Sequence, residues 1–223
     1  VFPQQNLAIC YTAQLQPMPG LDLMIEYSNS ALTVNEKDTV SIGSTNYLQR
    51  LMGTDKSTTF HRAIKGGMNY TFHKSTIGLG YEHVDPNYRT MGAYFFNNDF
   101  ENVTVHIAQT LFKDKVSMSA NVGLQHDNLD GKKSRTTERT VASMNVNYTP
   151  TEKLQLSTSY SNFKTYMNMQ STFQKINQPL PFQNPDTLNF LQISQNANLG
   201  ITLATRKDEA QSRQLNMNVS FQD

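Results

Sequence analysis

Between Val103 and Gln125 the side chains alternate with a period of two. Val103, Val105, Ile107 and Leu111 alternate with Thr104, His106, Ala108 and Thr110, Gln109 being the one polar miss. Phe112 ends the run, Lys113-Asp114-Lys115 breaks it, and a second run follows. There Val116, Met118, Ala120, Val122 and Leu124 alternate with Ser117, Ser119, Asn121, Gly123 and Gln125. Only an extended chain puts alternate residues on one face, so this stretch is a β-hairpin with one apolar side. In a chain that is 37% hydrophobic, ten alternations without a miss arise by chance in roughly one window per thousand. The pattern recurs about five times along the chain, which excludes chance.

Leu7, Ile9, Tyr11, Ala13 and Leu15 form a first strand, broken at Gln16-Pro17-Met18-Pro19-Gly20, and Leu21, Leu23, Ile25 and Tyr27 return it. Asn29 to Thr59 is polar and aperiodic and is expected to be a long loop. Met68, Tyr70 and Phe72 turn through Lys74-Ser75-Thr76 into Ile77, Leu79 and Tyr81, and Val84 to Asn102 is a second long connection. After the hairpin that ends near His126, Asp127 to Thr140 is polar, with a turn signal at Asp130-Gly131. Ala142, Met144, Val146 and Tyr148 pass through Pro150-Thr151-Glu152-Lys153 into Leu154, Leu156, Thr158 and Tyr160. Lys164 to Asn196, with Pro179, Pro181 and Pro185, is expected to be the longest loop. Ala197 to Leu203 and Leu215 to Phe221 make strands nine and ten around a charged turn at Arg206-Lys207-Asp208-Glu209. Connections therefore alternate short and long, and no segment has a helical period.

Composition narrows what such a sheet can be for. The formal charge is +1 and the basic residues are dispersed, which argues against a nucleic-acid footprint. One cysteine, Cys10, excludes an internal disulfide or a cysteine-rich metal site. No run of 18 apolar residues makes a membrane helix, yet a membrane strand needs only about 9 to 11 residues, so a mean hydropathy of -0.54 is no sign of solubility.

A soluble sandwich and a barrel in lipid both give strands with one apolar face. Three features favour the barrel. The polar faces carry mainly Ser, Asn, Thr, Gln and Gly rather than the Lys and Glu of a solvated sheet, and charges are expected to avoid the apolar face altogether. An Arg or Lys there would cost about 2 to 4 kcal/mol near mid-membrane. Alternating tight turns and long loops match barrels whose turns are periplasmic and whose loops are external. Aromatic residues stand near strand ends on the apolar face: Tyr27, Tyr81, Tyr160 and Phe221 toward the long loops or chain end, Phe72 and Tyr148 toward the short turns. Those are the positions of two interfacial girdles. The expected fold is all-β: an antiparallel up-and-down transmembrane β-barrel, or part of one, of about ten strands, with residues 1–223 as a single barrel region.

Asn147-Tyr148-Thr149-Pro150-Thr151-Glu152-Lys153-Leu154-Gln155-Leu156-Ser157 and Tyr160-Ser161-Asn162-Phe163 resemble outer-membrane barrel sequences of the Bacteroidota, where a proline-led turn feeds a Leu-x-Leu strand. The resemblance extends in style over most of the chain and is shared by porins, TonB-dependent transporters and secretion-associated barrels. It implies a bacterial outer-membrane location, outer-membrane lipid as surroundings, and partners drawn from further barrel strands or from periplasmic and surface proteins.

Asp22, Glu26, His73, Glu82, His106, Asn121 and Gln125 are the candidate lumen-lining residues. Asp22, Glu26 and Glu82 could bias a lumen toward cations, or be paired with lumen Lys or Arg from elsewhere. His73 and His106 have no third ligand at metal-binding spacing. His83 with Asp85, and His126 with Asp127, stand where a barrel hydrolase similar to the omptins keeps a His/Asp site for general-base chemistry. The expected function is a pore, transporter or secretion-associated scaffold without catalysis or cofactor. A barrel hydrolase and a soluble all-β binding module are the alternatives. With turns periplasmic, both chain ends fall outside, so further strands are expected beyond Val1 and Asp223.

Overall fold

The computed structural model describes residues 4–34, 57–92, 97–170, 187–208 and 211–223. They form a single sheet of ten strands in sequence order, every neighbouring pair antiparallel. The strands are β1 (Gln5–Met18), β2 (Leu21–Thr33), β3 (Thr58–Phe72), β4 (Ser75–Val84), β5 (Phe100–Leu111), β6 (Val116–Asp127), β7 (Arg135–Thr151), β8 (Leu154–Gln170), β9 (Thr187–Asp208) and β10 (Gln211–Gln222). The up-and-down meander is as expected, and it is open: β1 pairs with β2 alone and β10 with β9 alone. No second layer covers the apolar face among the described residues.

Tight turns join alternate strands. Gly20 shows why: at φ +84 it lies so close to the end of β3 that a Cβ would overlap the Thr71 carbonyl oxygen. Pro17 and Pro150, which the sequence places in turns, instead lie in strands that continue past them. The register slips between Leu15 and Met18 and between Tyr148 and Thr151, and these bulges absorb prolines that have no N–H to give a ladder.

The strands reach much further toward the long-loop end than periodicity alone indicates. β3 begins at Thr58, β7 at Arg135 and β9 at Thr187, while β2 runs to Thr33 and β8 to Gln170. The loops expected at Asn29–Thr59 and Lys164–Asn196 shrink accordingly, and Pro179, Pro181 and Pro185 lie outside the described residues. Beyond the apolar band the same face turns charged. Arg62, His83, Glu101, His126 and Glu138 share the parity of Ile64, Tyr81, Val103, Leu124 and Thr140, one step further along their strands, and Lys164 pairs with Thr140 on the same face. Charges are thus excluded from the middle of the apolar face and not from its whole length.

That face is continuous and uncovered. Leu15, Ile25, Leu79, Val105, Ile107, Val122, Met144, Leu199, Met217 and Phe221 are all exposed on it, and among the described residues the buried apolar side chains are only Ala31, Leu32, Val84 and Tyr88. The six girdle candidates Tyr27, Phe72, Tyr81, Tyr148, Tyr160 and Phe221 all take this face.

The band also runs obliquely to the hydrogen-bonded rows. One row passes from Leu21 through Tyr70, Ile77, Ile107, Ala120, Met144, Tyr160 and Ala197 to Phe221. Leu21 stands beside a short turn, whereas Phe221 stands at the opposite end of its strand. A slide of about one residue per strand, at roughly 3.3 Å rise and 4.8 Å spacing, is a tilt of about 35°.

Candidate functional site

Clefts that open along the sheet are lined chiefly by side chains of the polar face, so the hollow side is the polar one. At its long-loop end a cleft of about 610 Å³ is walled by Glu26, Lys65, Glu82, Asn102, Gln125 and Arg139. All six stand on one hydrogen-bonded row across β2 to β7.

Each gets there by local pattern. Glu26 and Glu82 are the polar alternates between Ile25 and Tyr27 and between Tyr81 and His83. Lys65 pairs in register with both of them. Asn102 faces Gln125, and Gln125 faces Arg139. Among the described residues, neither Lys65 nor Arg139 closes an ion pair within 4.0 Å. Their charges stay available to the cleft.

The chain after β4 forms the roof. A turn at Asp85-Pro86-Asn87 sends Tyr88 across the hollow face, where its hydroxyl lies 2.7 Å from Ser28 Oγ. Ser30 Oγ donates to the Arg89 carbonyl at 2.6 Å, and the Met91 N–H donates to Asn6 Oδ1 at 3.2 Å. The connection therefore straps β4 back to β2 and β1. Tyr88 and Ser30 are buried by it.

Of the seven lumen candidates, the structure groups Glu26, Glu82 and Gln125 in this cleft. Asp22 lies lower on the same face, accepting from Gln16 Nε2 at 3.0 Å. Asn121 pairs with His106 and donates weakly to Ser143 Oγ at 3.5 Å. His73 is not on a strand face: β3 ends at Phe72 and His73 occupies the turn at φ +52. Lys65, Arg139 and Tyr88 were not identified from sequence, because Lys65 precedes the legible part of β3 and the other two lie in stretches expected to be loops.

The His106 ring lies against Gly78, where a Cβ would overlap its Cε1 and Nε2 and also the Asn69 Oδ1. Since the obstacles are the ends of two side chains and not backbone, Gly78→Ala should displace the imidazole and the Asn69 amide. The expected destabilisation is about 1 kcal/mol, relieved in part when His106→Ala is added, since Asn69 still has to move. Urea unfolding of the two single variants and the double checks it; strict additivity would show that the ring does not cover Gly78.

The His/acid pairs stand elsewhere. His83 Nε2 lies 3.1 Å from Asp85 Oδ1, an oriented imidazole, and Asp85 also accepts the Arg62 backbone N–H at 2.8 Å. This pair is on the outer face, away from the cleft. His126 does not pair with Asp127, because adjacent strand residues point to opposite faces. It lies 3.2 Å from Glu101, which accepts from the Tyr81 hydroxyl at 2.7 Å, while Asp127 accepts the Thr137 N–H at 2.6 Å. Among the described residues no three His, Cys, Asp or Glu side chains converge as metal ligands.

Comparison with protein-family models, with curated proteins and with solved structures gave no match to this chain.

Proposed function

We propose that the chain is a section of a bacterial outer-membrane β-barrel of the Bacteroidota type, acting as a pore, transporter or secretion-associated scaffold. The observation that carries this is the uncovered apolar face, continuous from β1 to β10. Exposed apolar patches on soluble monomers seldom exceed a few hundred Å², and a sheet of this size presented to water would aggregate. In hydrocarbon the same face is solvated. The oblique band supports the reading, since strands of membrane barrels tilt by about 35 to 45°. So does the step from aliphatic and aromatic side chains to Arg62, Glu101, His126 and Glu138, where the outer face would leave the hydrocarbon.

The open edges bear on size. Unpaired N–H and C=O groups of β1 and β10 would cost several kcal/mol each in lipid, so further strands complete the barrel. The polar hollow face is then a lumen, and its cleft a place of passage or binding rather than of chemistry.

Sedimentation with outer membranes and release only by detergent is the expected result; recovery in the soluble fraction would overturn it. Orientation has its own check. In a Cys10→Ser background, a membrane-impermeant maleimide added to intact cells should label Lys132→Cys, in the connection after β6. It should spare Glu152→Cys, in the tight turn after β7. The reverse labelling would invert the topology.

A further inference from the structure

We propose that the roofed cleft binds short zwitterionic peptides, ammonium end at Glu26 and Glu82 and carboxylate end at Arg139. This rests on the lumen reading above and specifies its ligand. The row Glu26, Lys65, Glu82, Asn102, Gln125, Arg139 has an acidic end and a basic end. Two carboxylates flank one ammonium, leaving a net negative charge, and the guanidinium stands three strands beyond Glu82. Three spacings of roughly 4.8 Å put the poles about 14 Å apart along the sheet, and less between side-chain tips that converge on a hollow face.

An extended chain covers roughly 3.3 to 3.6 Å per residue, so a peptide of about three or four residues matches that span. Between the poles stand two side-chain amides, Asn102 and Gln125, each with donors and an acceptor. Amides in that position pair with peptide N–H and C=O groups, which a simple ion or a hydrocarbon would leave unmatched. An Arg fork suits a terminal carboxylate, and its charge is not spent on a neighbour among the described residues. Tyr88, held by Ser28, closes the cleft toward the long-loop end. A ligand therefore enters beside the strap or from the hollow below it.

The test is calorimetric titration of the full-length protein in detergent micelles. The probes are trialanine, N-acetyl-trialanine, trialanine amide and maltotriose. Trialanine should bind, and each capped peptide about tenfold or more weakly, because each cap removes one charge-assisted contact. Arg139→Gln should erase the difference between trialanine and its amide. The pair Glu26→Gln and Glu82→Gln should erase the difference between trialanine and its acetylated form. Equal affinity for capped and free peptides, tighter binding of maltotriose, or no peptide binding overturns the proposal, and the capped peptides test it on the native protein even where a variant fails to fold. Planar-bilayer conductance separates the two readings. Conductance without peptide binding leaves the pore standing and removes the ligand; peptide binding without conductance does the opposite.

Discussion

On the proposal of a membrane barrel, Val122→Arg is expected to block folding into bilayers, while Asn121→Arg, its neighbour, folds nearly as the native chain does. Val122 lies between Val105 and Ala142 on the apolar face and is 44% exposed, with no layer over it among the described residues. A guanidinium there faces whatever surrounds the barrel. In lipid near mid-depth that costs about 2 to 4 kcal/mol, a large share of a stability margin of about 5 to 15 kcal/mol. Asn121 stands between His106 and Ser143 on the hollow face, where an arginine keeps its water. Folding from urea into vesicles, followed by heat-modifiable gel mobility, reads the difference. Equal damage from both variants would mean that Val122 does not face lipid. Equal tolerance of both would mean that its surroundings are water.

The same contrast shows how far sequence carries here. Period-two alternation is legible only while one face sits in one medium, so every strand was visible where its outward residues are apolar. At the long-loop end the outward positions become Arg62, His83, Glu101, His126, Glu138 and Lys164, and the alternation of apolar with polar disappears although the strands continue. That loss hid Lys65 and Arg139, and with them the two-ended character of the row. Glu26 and Glu82 alone looked acidic; the residue set between them is basic. The sequence also held the means to reject a His126–Asp127 pair, since neighbours on a strand point apart. What it did not hold was the strap: nothing in Asp85-Pro86-Asn87-Tyr88 tells that the turn folds inward onto Ser28 and Ser30.

The second large effect is expected at Asp99, outside the apolar band. Its side chain is fully buried, and it ties three segments together. Its N–H donates to the Val84 carbonyl at 3.0 Å and its carbonyl accepts from the Asn128 N–H at 3.3 Å. Its Oδ1 accepts from the Leu129 N–H at 2.7 Å, and its Oδ2 lies 2.5 Å from Lys133 Nζ. Asp99 thus joins the end of β4 and the start of β5 to the β6–β7 connection. Its φ of +63 adds a second constraint, because left-handed backbone is tolerated by Asn, Asp and Gly and strained for Ala. Asp99→Ala removes an acceptor from a buried site and places a Cβ-only side chain in that conformation, costing about 1 to 3 kcal/mol for the first and about 1 for the second. Asp99→Asn keeps one acceptor for the Leu129 N–H and the favourable φ, but its other position becomes an amide NH2 that cannot accept from Lys133, whose half-exposed side chain can swing into solvent, so it should cost about 1 to 2 kcal/mol. Asp99→Gly relieves the backbone and still lacks the acceptor, and belongs between them. Thermal unfolding should rank the native chain, then Asn, Gly and Ala, with trypsin cleavage at Lys132 and Lys133 rising in the same order. Should Asn unfold as early as Ala, the ion pair with Lys133 would be what holds the connection, and the hydrogen bond to Leu129 would be incidental.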